Sequence, residues 1–332
     1  MPTVTSVAQR CGFAHTAVCY GTTQELVEEV APIIHAWLSQ GDRVFVNLSA
    51  DRLAALGAAL GADADRVRWS DTHRWAPHPA RRLRALHELV EREGRGGAVQ
   101  LRFVGECAFP SSVPELAEEW VRFDAVLNEA LAGAPVTMVC TYDVQALPEE
   151  VAAGVHRTHP ILGLDPVVWS EGYRRPSELL DLPAALSDPP ASAVRETGCV
   201  EPARARELVR EVLAGRGDPG DRAAPPVQAA EDLAVVATEL VTNAWQVGAL
   251  SIGVWCWHDG AEIGVQVDDD GPGLRDPLAG YRRPAAGVVG GRGLWIARQL
   301  ADLVEIAPNG LGTSVRARIW AAPTSPDRRP AA

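Results

Sequence analysis

The sequence predicts two mixed folds in tandem. The first is an α/β domain with a mostly parallel, doubly wound sheet, and the second sets helices against a sheet built from hairpins. Three observations carry this. Helical and strand patterns alternate from about residue 13 to residue 141, as chains of βα units do. A proline-rich stretch, Leu164 to Ala193, then breaks the alternation. Beyond it an amphipathic helix is followed by two strands joined by a tight turn.

Taken in order, residues 1–12 read as a short tail before a strand at Ala14 to Tyr20. The capping box Thr22-Thr-Gln-Glu25 opens a helix that runs to Gln40 and stops at Gly41. A buried strand at Arg43 to Leu48 and a helix at Arg52 to Leu60 follow, the helix ending at Gly61. Val67 to Trp69 is a short strand, and Pro79 starts a helix that reaches Arg92. Ala98 to Val104 is a strand, Pro114 to Leu131 a long helix, and Val136 to Thr141 a fifth strand. The proline-rich stretch reads as a linker with one helical piece at Pro176 to Leu182, although Trp169 and Tyr173 suggest that part of it packs. A strand at Ala191 to Thr197 and a helix at Pro202 to Ala214 open the second domain. After a Gly/Pro loop (Gly217 to Pro226), the helix around Asp232 to Ala244 places Leu233, Val236, Ala237, Leu240, Val241 and Ala244 on one stripe. Ser251 to Trp257 and Ile263 to Val267 are strands, with His258-Asp259-Gly260 supplying the turn between them. The boundaries are therefore 1–165, a linker at 166–190, a second domain at 191–322 and a Pro-rich disordered tail at 323–332.

Composition bounds the function. A chain of 332 residues with 47% hydrophobic content suits two soluble domains, and a net charge of −12 argues against nucleic acid as the main partner. No run is long enough to span a bilayer and no charged-then-apolar leader is present, so a cytoplasmic location is expected, with no membrane partner. Cys11, Cys19, Cys107, Cys140, Cys199 and Cys256 are scattered without CxxC pairs and read as reduced. Cys11-x3-His15-x3-Cys19 crosses a strand and lacks a second half at zinc spacing, so a metal there is not expected. All 31 basic residues are arginine. That excludes a Walker A loop and any catalytic lysine.

Three pieces in the second domain matter together. Glu239 and Asn243 lie one turn apart beside the apolar stripe; Asp268-Asp-Asp-Gly-Pro-Gly273 follows a strand; Gly290-Gly-Arg-Gly-Leu294 opens a helix, and Gly310-Leu-Gly312-Thr313 comes later. In this order they resemble the GHKL ATPase superfamily, and most closely the anti-sigma-factor serine kinases of bacteria. Glu239-Leu-Val-Thr-Asn243-Ala resembles their N box, Asp269-x-Gly271-x-Gly273 their G1 box, Gly291-x-Gly293 their G2 box and Gly312-Thr313 their last glycine motif. The resemblance covers residues 190–322 and implies an α+β sandwich that binds ATP with Mg²⁺, a sigma factor or anti-sigma antagonist as protein partner, and a homodimer.

On that reading Asn243 offers a neutral oxygen to Mg²⁺ and Glu239 takes a proton from an attacking hydroxyl. Asp269 accepts from an adenine amino group, and Gly271 and Gly273 admit the base without a Cβ in the way. Gly291, Gly293 and Leu294 at a helix start, with Arg292, face phosphates. The Gly/Pro/Arg-rich stretch from Arg275 to Gly290 would be a mobile lid. Trp245-Gln-Val-Gly248 replaces the usual His or Arg after the N box.

In doubly wound sheets ligands sit beyond the carboxyl ends of strands. Those ends here are Tyr20-Gly21, Asn47-Leu-Ser49, Gly105-Glu106 and Tyr142-Asp143, followed by His156-Arg-Thr-His159-Pro160. His15-x4-Tyr20, Val104-Gly-Glu106, Phe123-Asp-Ala-Val-Leu-Asn128, Cys140-Thr-Tyr-Asp143 and Arg157-Thr-His159-Pro160 resemble the MEDS sensory domain over residues 12–163. The likeness implies a RecA-like sensor without a phosphate loop and a small organic ligand, with His15, Tyr20, Glu106, Tyr142, Asp143 and His159 as candidate contacts. Structural histidines and helix-capping carboxylates are the alternative reading of these residues.

Three functions follow as expectations. The chain is an ATP-binding regulator of the anti-sigma-factor type, with possible serine/threonine kinase activity, coupling a small-molecule or stress signal to transcription. Alternatively it is a binding module without turnover. A histidine kinase fits least, because His156 and His159 adjoin a proline rather than a coiled-coil hairpin.

Overall fold

Strands β1 (Phe13–Tyr20), β2 (Arg43–Leu48), β4 (Leu101–Glu106) and β5 (Val136–Asp143) are buried almost end to end, which only a sheet covered on both faces allows. The computed structural model describes residues 3–75, 78–94, 100–106, 114–147, 149–215, 225–260, 262–282, 284 and 291–320. The expected features of the Gly217–Pro226 loop, the second half of the Arg275–Gly290 lid and the tail from 323 lie largely or wholly outside them, as does Cys107. Contacts divide the chain into two units, one through Leu179 and one from Leu180.

The first unit is the predicted doubly wound sheet. With β3 (Arg68–Asp71), β6 (Ile161–Leu162) and β7 (Val168–Trp169) the strand order is β3-β2-β4-β5-β1-β6-β7, parallel throughout except for the β6·β7 edge pair. Helices α1 (Val4–Cys11), α2 (Thr23–Ser39), α3 (Ala50–Leu60), α4 (Pro79–Gly94), α5 (Pro114–Ala130), α6 (Glu149–Thr158) and α7 (Pro176–Leu179) accompany it. The capping box forms in part: Glu25 N–H donates to Thr22 Oγ1 at 3.2 Å, while the Glu25 carboxylate accepts from Gly21 rather than from Thr22.

Two expectations need correction here. Residues 4–11 are not a tail but a helix, docked by the buried Val4 and Val7 and by the Trp37 indole N–H donating to Thr5 Oγ1 at 2.8 Å. Helix α6 was also unforeseen. Its buried positions Val151, Val155 and Thr158 keep helical spacing, but Gly154 interrupts the apolar stripe; an added Cβ there would lie 3.0 Å from Val121, so the glycine allows close packing on α5.

In the second unit β8 (Val194–Gly198), β9 (Ile252–Asp259), β10 (Glu262–Asp269), β11 (Leu303–Pro308) and β12 (Thr313–Trp320) form an antiparallel sheet ordered β11-β12-β10-β9-β8. Helices α8 (Pro202–Leu213), α9 (Val227–Gln246) and α10 (Gly293–Leu300) supply its helical layer. The stripe Leu233, Val236, Ala237, Leu240, Val241 and Ala244 of α9 is buried against Ile252, Val254, Val265 and Val267, as its spacing predicts. The far face is polar and aromatic, with the Arg316 guanidinium donating to Gln266 Oε1 and to Ser187 of the segment before β8. The residues expected as a linker are thus shared out, β7 and α7 to the first unit and Ser187 to the second.

Among the described residues no helix is long and apolar enough to cross a membrane.

Candidate functional site

Where α9 runs out over the ends of β10 and β12, its C-terminal half and the sheet leave a cavity of about 330 Å³. Leu240, Val267, Leu274 and Val315 give it apolar walls, Asn243 and Asp269 contribute polar side chains, and Gly273, Gly280, Gly291, Leu294 and Thr313 complete its lining. A mostly apolar cleft with a few fixed polar groups is the usual form of a nucleotide-sized site.

Strand pairing explains the division of labour in the Asp268-Asp-Asp run. Asp268 accepts from Trp255 Nε1, Gln266 Nε2 and Ser314 Oγ at 2.6–2.8 Å, on the far face. Asp270 accepts the backbone N–H groups of Leu250 and Ser251 and ties the turn after α9 to the strand end. Asp269 alone looks into the cavity. Its Oδ1 accepts Gly271 N–H at 2.8 Å, and burial lifts its carboxyl above the ordinary range against the stabilising N–H groups of Gly271 and Thr313.

The glycines act by close approach. A Cβ on Gly293 would sit 2.5 Å from the Asn243 amide, and one on Gly271 2.9 Å from Asp269 Oδ1. Gly273 and Gly291 have φ of 81° and 72°, which side chains rarely adopt. The start of the expected lid is anchored: Leu278 and Tyr281 are buried, the Arg298 guanidinium lies 3.7 Å from the Tyr281 ring centre, and Gly280 presses on the backbone of Leu294.

Among the described residues of the first unit, the candidate contacts fall into two separate polar assemblies. At the carboxyl ends of β1, β4 and β5, the Arg52 guanidinium donates to Glu106 at 2.8 Å and to Asp143 at 2.6 Å, and it lies over the Tyr20 ring. Ser49 N–H donates to the other Glu106 oxygen, while the buried Tyr20 hydroxyl has no hydrogen-bond partner among the described residues. Burial, with the Glu106 charge beside it, pushes the Tyr20 phenol well up.

The second assembly lies between the other face of the sheet and helices α5 and α6. The rings of His15 and His159 lie 4.1 Å apart, centre to centre, tilted by 42°, both essentially without solvent contact. His15 Nδ1 meets Asn128 Oδ1 at 3.2 Å and its Nε2 meets Cys140 Sγ at 3.3 Å. His159 Nδ1 meets the Val155 carbonyl at 3.0 Å, its Nε2 lies 3.4 Å from the Tyr142 hydroxyl, and that hydroxyl donates to Asp124. Burial lowers His15 to about 4 and His159 well below its usual value, and lifts Asp124 to about 7.

Residues 14–160 match the family model described as MEDS, the MEthanogen/methylotroph, DcmR Sensory domain. Residues 201–319 match that of the Histidine kinase-like ATPase domain. The chain is a MEDS domain fused to a histidine kinase-like ATPase domain. No curated protein matches it. The pairing of a sensory with an ATPase domain marks a regulatory, ATP-binding protein.

In the ATPase domain the structure brings together Asn243, Asp269, Gly273, Gly291, Leu294 and Thr313 around one cavity. Gly271, Gly293 and Gly312 stand behind it, packed on Asp269 and Asn243. Arg292 is exposed at the N-cap of α10, and Glu239 is half-buried one turn before Asn243, outside the cavity lining. In the MEDS domain the six candidate contacts do not form one group: Tyr20, Glu106 and Asp143 gather on Arg52, whereas His15, Tyr142 and His159 gather with Asp124, Asn128 and Cys140. Arg52 is a partner that no motif of the sequence includes, whereas Asp124, Asn128 and Cys140 lie in the MEDS-like motifs without having been expected as contacts. Asp124 and Asn128, one turn apart on the inward face of α5, and Cys140, two residues before Tyr142 on the same strand face, carried the local signal.

Proposed function

We propose that the chain is a cytoplasmic regulator of the anti-sigma-factor type. In this reading the MEDS domain takes a small organic ligand or stress signal, and the ATPase domain captures a sigma factor or an anti-sigma antagonist when ATP is bound. The observation that carries the reading is the cavity on which Asp269 and Asn243 converge between apolar walls and glycine backbone.

The residues fit an adenine nucleotide. Asp269 is a partly desolvated acceptor at the wall, suited to an exocyclic amine, and Leu240, Val267 and Val315 suit a flat apolar ring. The positive-φ glycines leave backbone accessible to phosphates, and the Asn243 oxygen suits Mg²⁺. ATP, when bound with Mg²⁺, supplies a transferable phosphoryl group. Glu239 would hold the proton of an attacking serine hydroxyl on the antagonist.

One observation favours a second reading, a binding module without turnover. Glu239 does not line the cavity, and Trp245 donates its indole N–H to the Val200 carbonyl at 3.0 Å, so it anchors the helix end where a phosphate-facing base is usual. Calorimetry with Mg-ATP and affinity capture from native-cell extract with and without nucleotide test the common part. A partner retained only with nucleotide is expected; absence of nucleotide binding to the intact chain would refute both readings.

A further inference from the structure

We propose that the buried assembly of the MEDS domain is a four-ligand site for a divalent transition-metal ion of the zinc type, held by His15, His159, Cys140 and Asp124. One donor atom from each of these residues lies within 4.8 Å of the others, and all four residues are buried. A tetrahedral site with bonds of about 2.0–2.3 Å has edges of roughly 3.3–3.8 Å, so closure needs shifts of about 1 Å or less, within rotamer adjustment. The His15 Nε2 to Cys140 Sγ edge is already 3.3 Å.

Proton placement points the same way. Asn128 Nδ2 donates to the Thr158 carbonyl at 2.8 Å, which fixes Asn128 Oδ1 as the atom facing His15, so His15 carries its proton on Nδ1. His159 likewise donates from Nδ1 to the Val155 carbonyl. Both rings therefore turn an Nε2 lone pair toward the cluster. Oriented imidazoles with Nδ1–H tied to a carbonyl or amide oxygen are the usual outer support of metal-binding histidines. Tyr142 gives its hydroxyl proton to Asp124, so it has none for His159 Nε2, and Asp124 Oδ1 has no hydrogen-bond partner among the described residues. His159 Nε2 and Asp124 Oδ1 thus face the cluster with no donor between them, and buried acceptors of that kind are costly unless a cation joins them. A thiolate and a carboxylate bring two negative charges, which a divalent ion cancels, leaving a neutral buried site.

Two nitrogens, one sulfur and one oxygen suit zinc, cobalt(II) or iron(II) rather than magnesium or calcium. The Cys140, His15 and Asn128 row also has the order of a cysteine-nucleophile triad. That alternative needs a path for substrate to a thiol 5% exposed, and it leaves Asp124 and His159 without a role. The metal reading uses all of them. It also gives the MEDS domain a closed site with every position filled by protein, separate from the Arg52 assembly.

The test uses the full-length chain, reduced, stripped with a chelator and titrated with Co²⁺ while visible and near-ultraviolet absorption is recorded. Saturation at one cobalt per chain is expected, with intense four-coordinate bands in the visible and a thiolate-to-cobalt charge-transfer band, both removed by added Zn²⁺. Cys140→Ser should lose the charge-transfer band, while substitution of the exposed Cys19 and Cys199 by serine should keep it. A natively folded wild-type chain, by circular dichroism, that shows no four-coordinate spectrum overturns the proposal. So does a charge-transfer band that survives Cys140→Ser or disappears with the Cys19 and Cys199 substitutions.

Discussion

Gly312 lies against Asp269 so closely that a Cβ on it would stand 2.4 Å from the Asp269 carbonyl oxygen and 2.7 Å from Gly271 N. The hairpin turn before β12 is thus fitted to the strand end that carries the cavity-facing carboxylate. Asn309 reinforces it, donating from Nδ2 to the Asp269 carbonyl and accepting the N–H groups of Leu311 and Gly312.

Gly312→Ala is therefore expected to push the turn off Asp269, at a cost of about 1–3 kcal/mol typical of overpacking. Nucleotide affinity should fall with it. Gly310→Ala, whose Cβ would meet nothing within 4 Å but whose φ of 82° side chains rarely adopt, strains the same turn without a clash on Asp269 and is the control for a backbone effect. Calorimetric titration of both variants decides: equal affinity in Gly312→Ala and wild type would show that the turn does not hold Asp269 in place.

Asp269→Asn should separate binding from stability. The raised carboxyl means that the folded chain holds this proton more tightly than the unfolded chain does. Stability is then lost as pH rises from the ordinary carboxylate value through the higher folded value, and the deficit persists above it. Asparagine keeps an oxygen for Gly271 N–H and carries no charge. The melting temperature of the nucleotide-free variant, relative to wild type, should therefore increase from acidic to neutral pH. Its nucleotide affinity should instead drop by about 1–3 kcal/mol, the loss of a charged hydrogen bond. A pH-independent difference in melting temperature would contradict the assigned environment.

Arg52→Met should destabilise the MEDS domain. The buried Glu106 would keep Ser49 N–H but lose its counter-charge, with Asp143 nearby. Breaking a buried pair costs about 3–5 kcal/mol, and the solvent reaching Asp143 argues for the lower end. Adding Glu106→Gln should restore part of the loss, as melting curves of the single and double variants would reveal. Additive losses would mean that the charges do not interact.

Legibility tracked how local each feature is. The stripe of α9, the β9–β10 turn and the motifs around Asn243, Asp269 and Gly291 each sit within one element, and their meeting follows from a helix packed on a hairpin. The MEDS assemblies were less legible because they depend on parallel register. His15 pairs in the ladder with Met138, which sets it next to Cys140, and no local pattern reports that offset. Tyr142 and Asp143 are sequence neighbours, yet strand alternation sends them to opposite faces and into different assemblies. Helix α1 was missed because, at eight residues, it is too short to be stable by itself, and its helical state depends on docking.

Glu239 and Asn243 share one face of α9 but differ in placement, since only Asn243 lines the cavity. Asn243→Ala should remove the neutral oxygen offered to Mg²⁺ and abolish metal-dependent nucleotide binding, with every downstream activity following it. Glu239→Gln keeps size and polarity and loses only the ability to take a proton. If the domain transfers phosphate, that variant should bind Mg-ATP and capture its protein partner normally while transfer falls by about 10² to 10⁴. If it only binds, the variant should match wild type in capture and release alike. Incubation of wild type, Glu239→Gln and the captured partner with labelled ATP separates the two. Label on a partner serine that is lost with Glu239→Gln supports the kinase; label from neither protein, with nucleotide-dependent capture intact, assigns the domain as a switchable binding surface whose ATP holds a conformation.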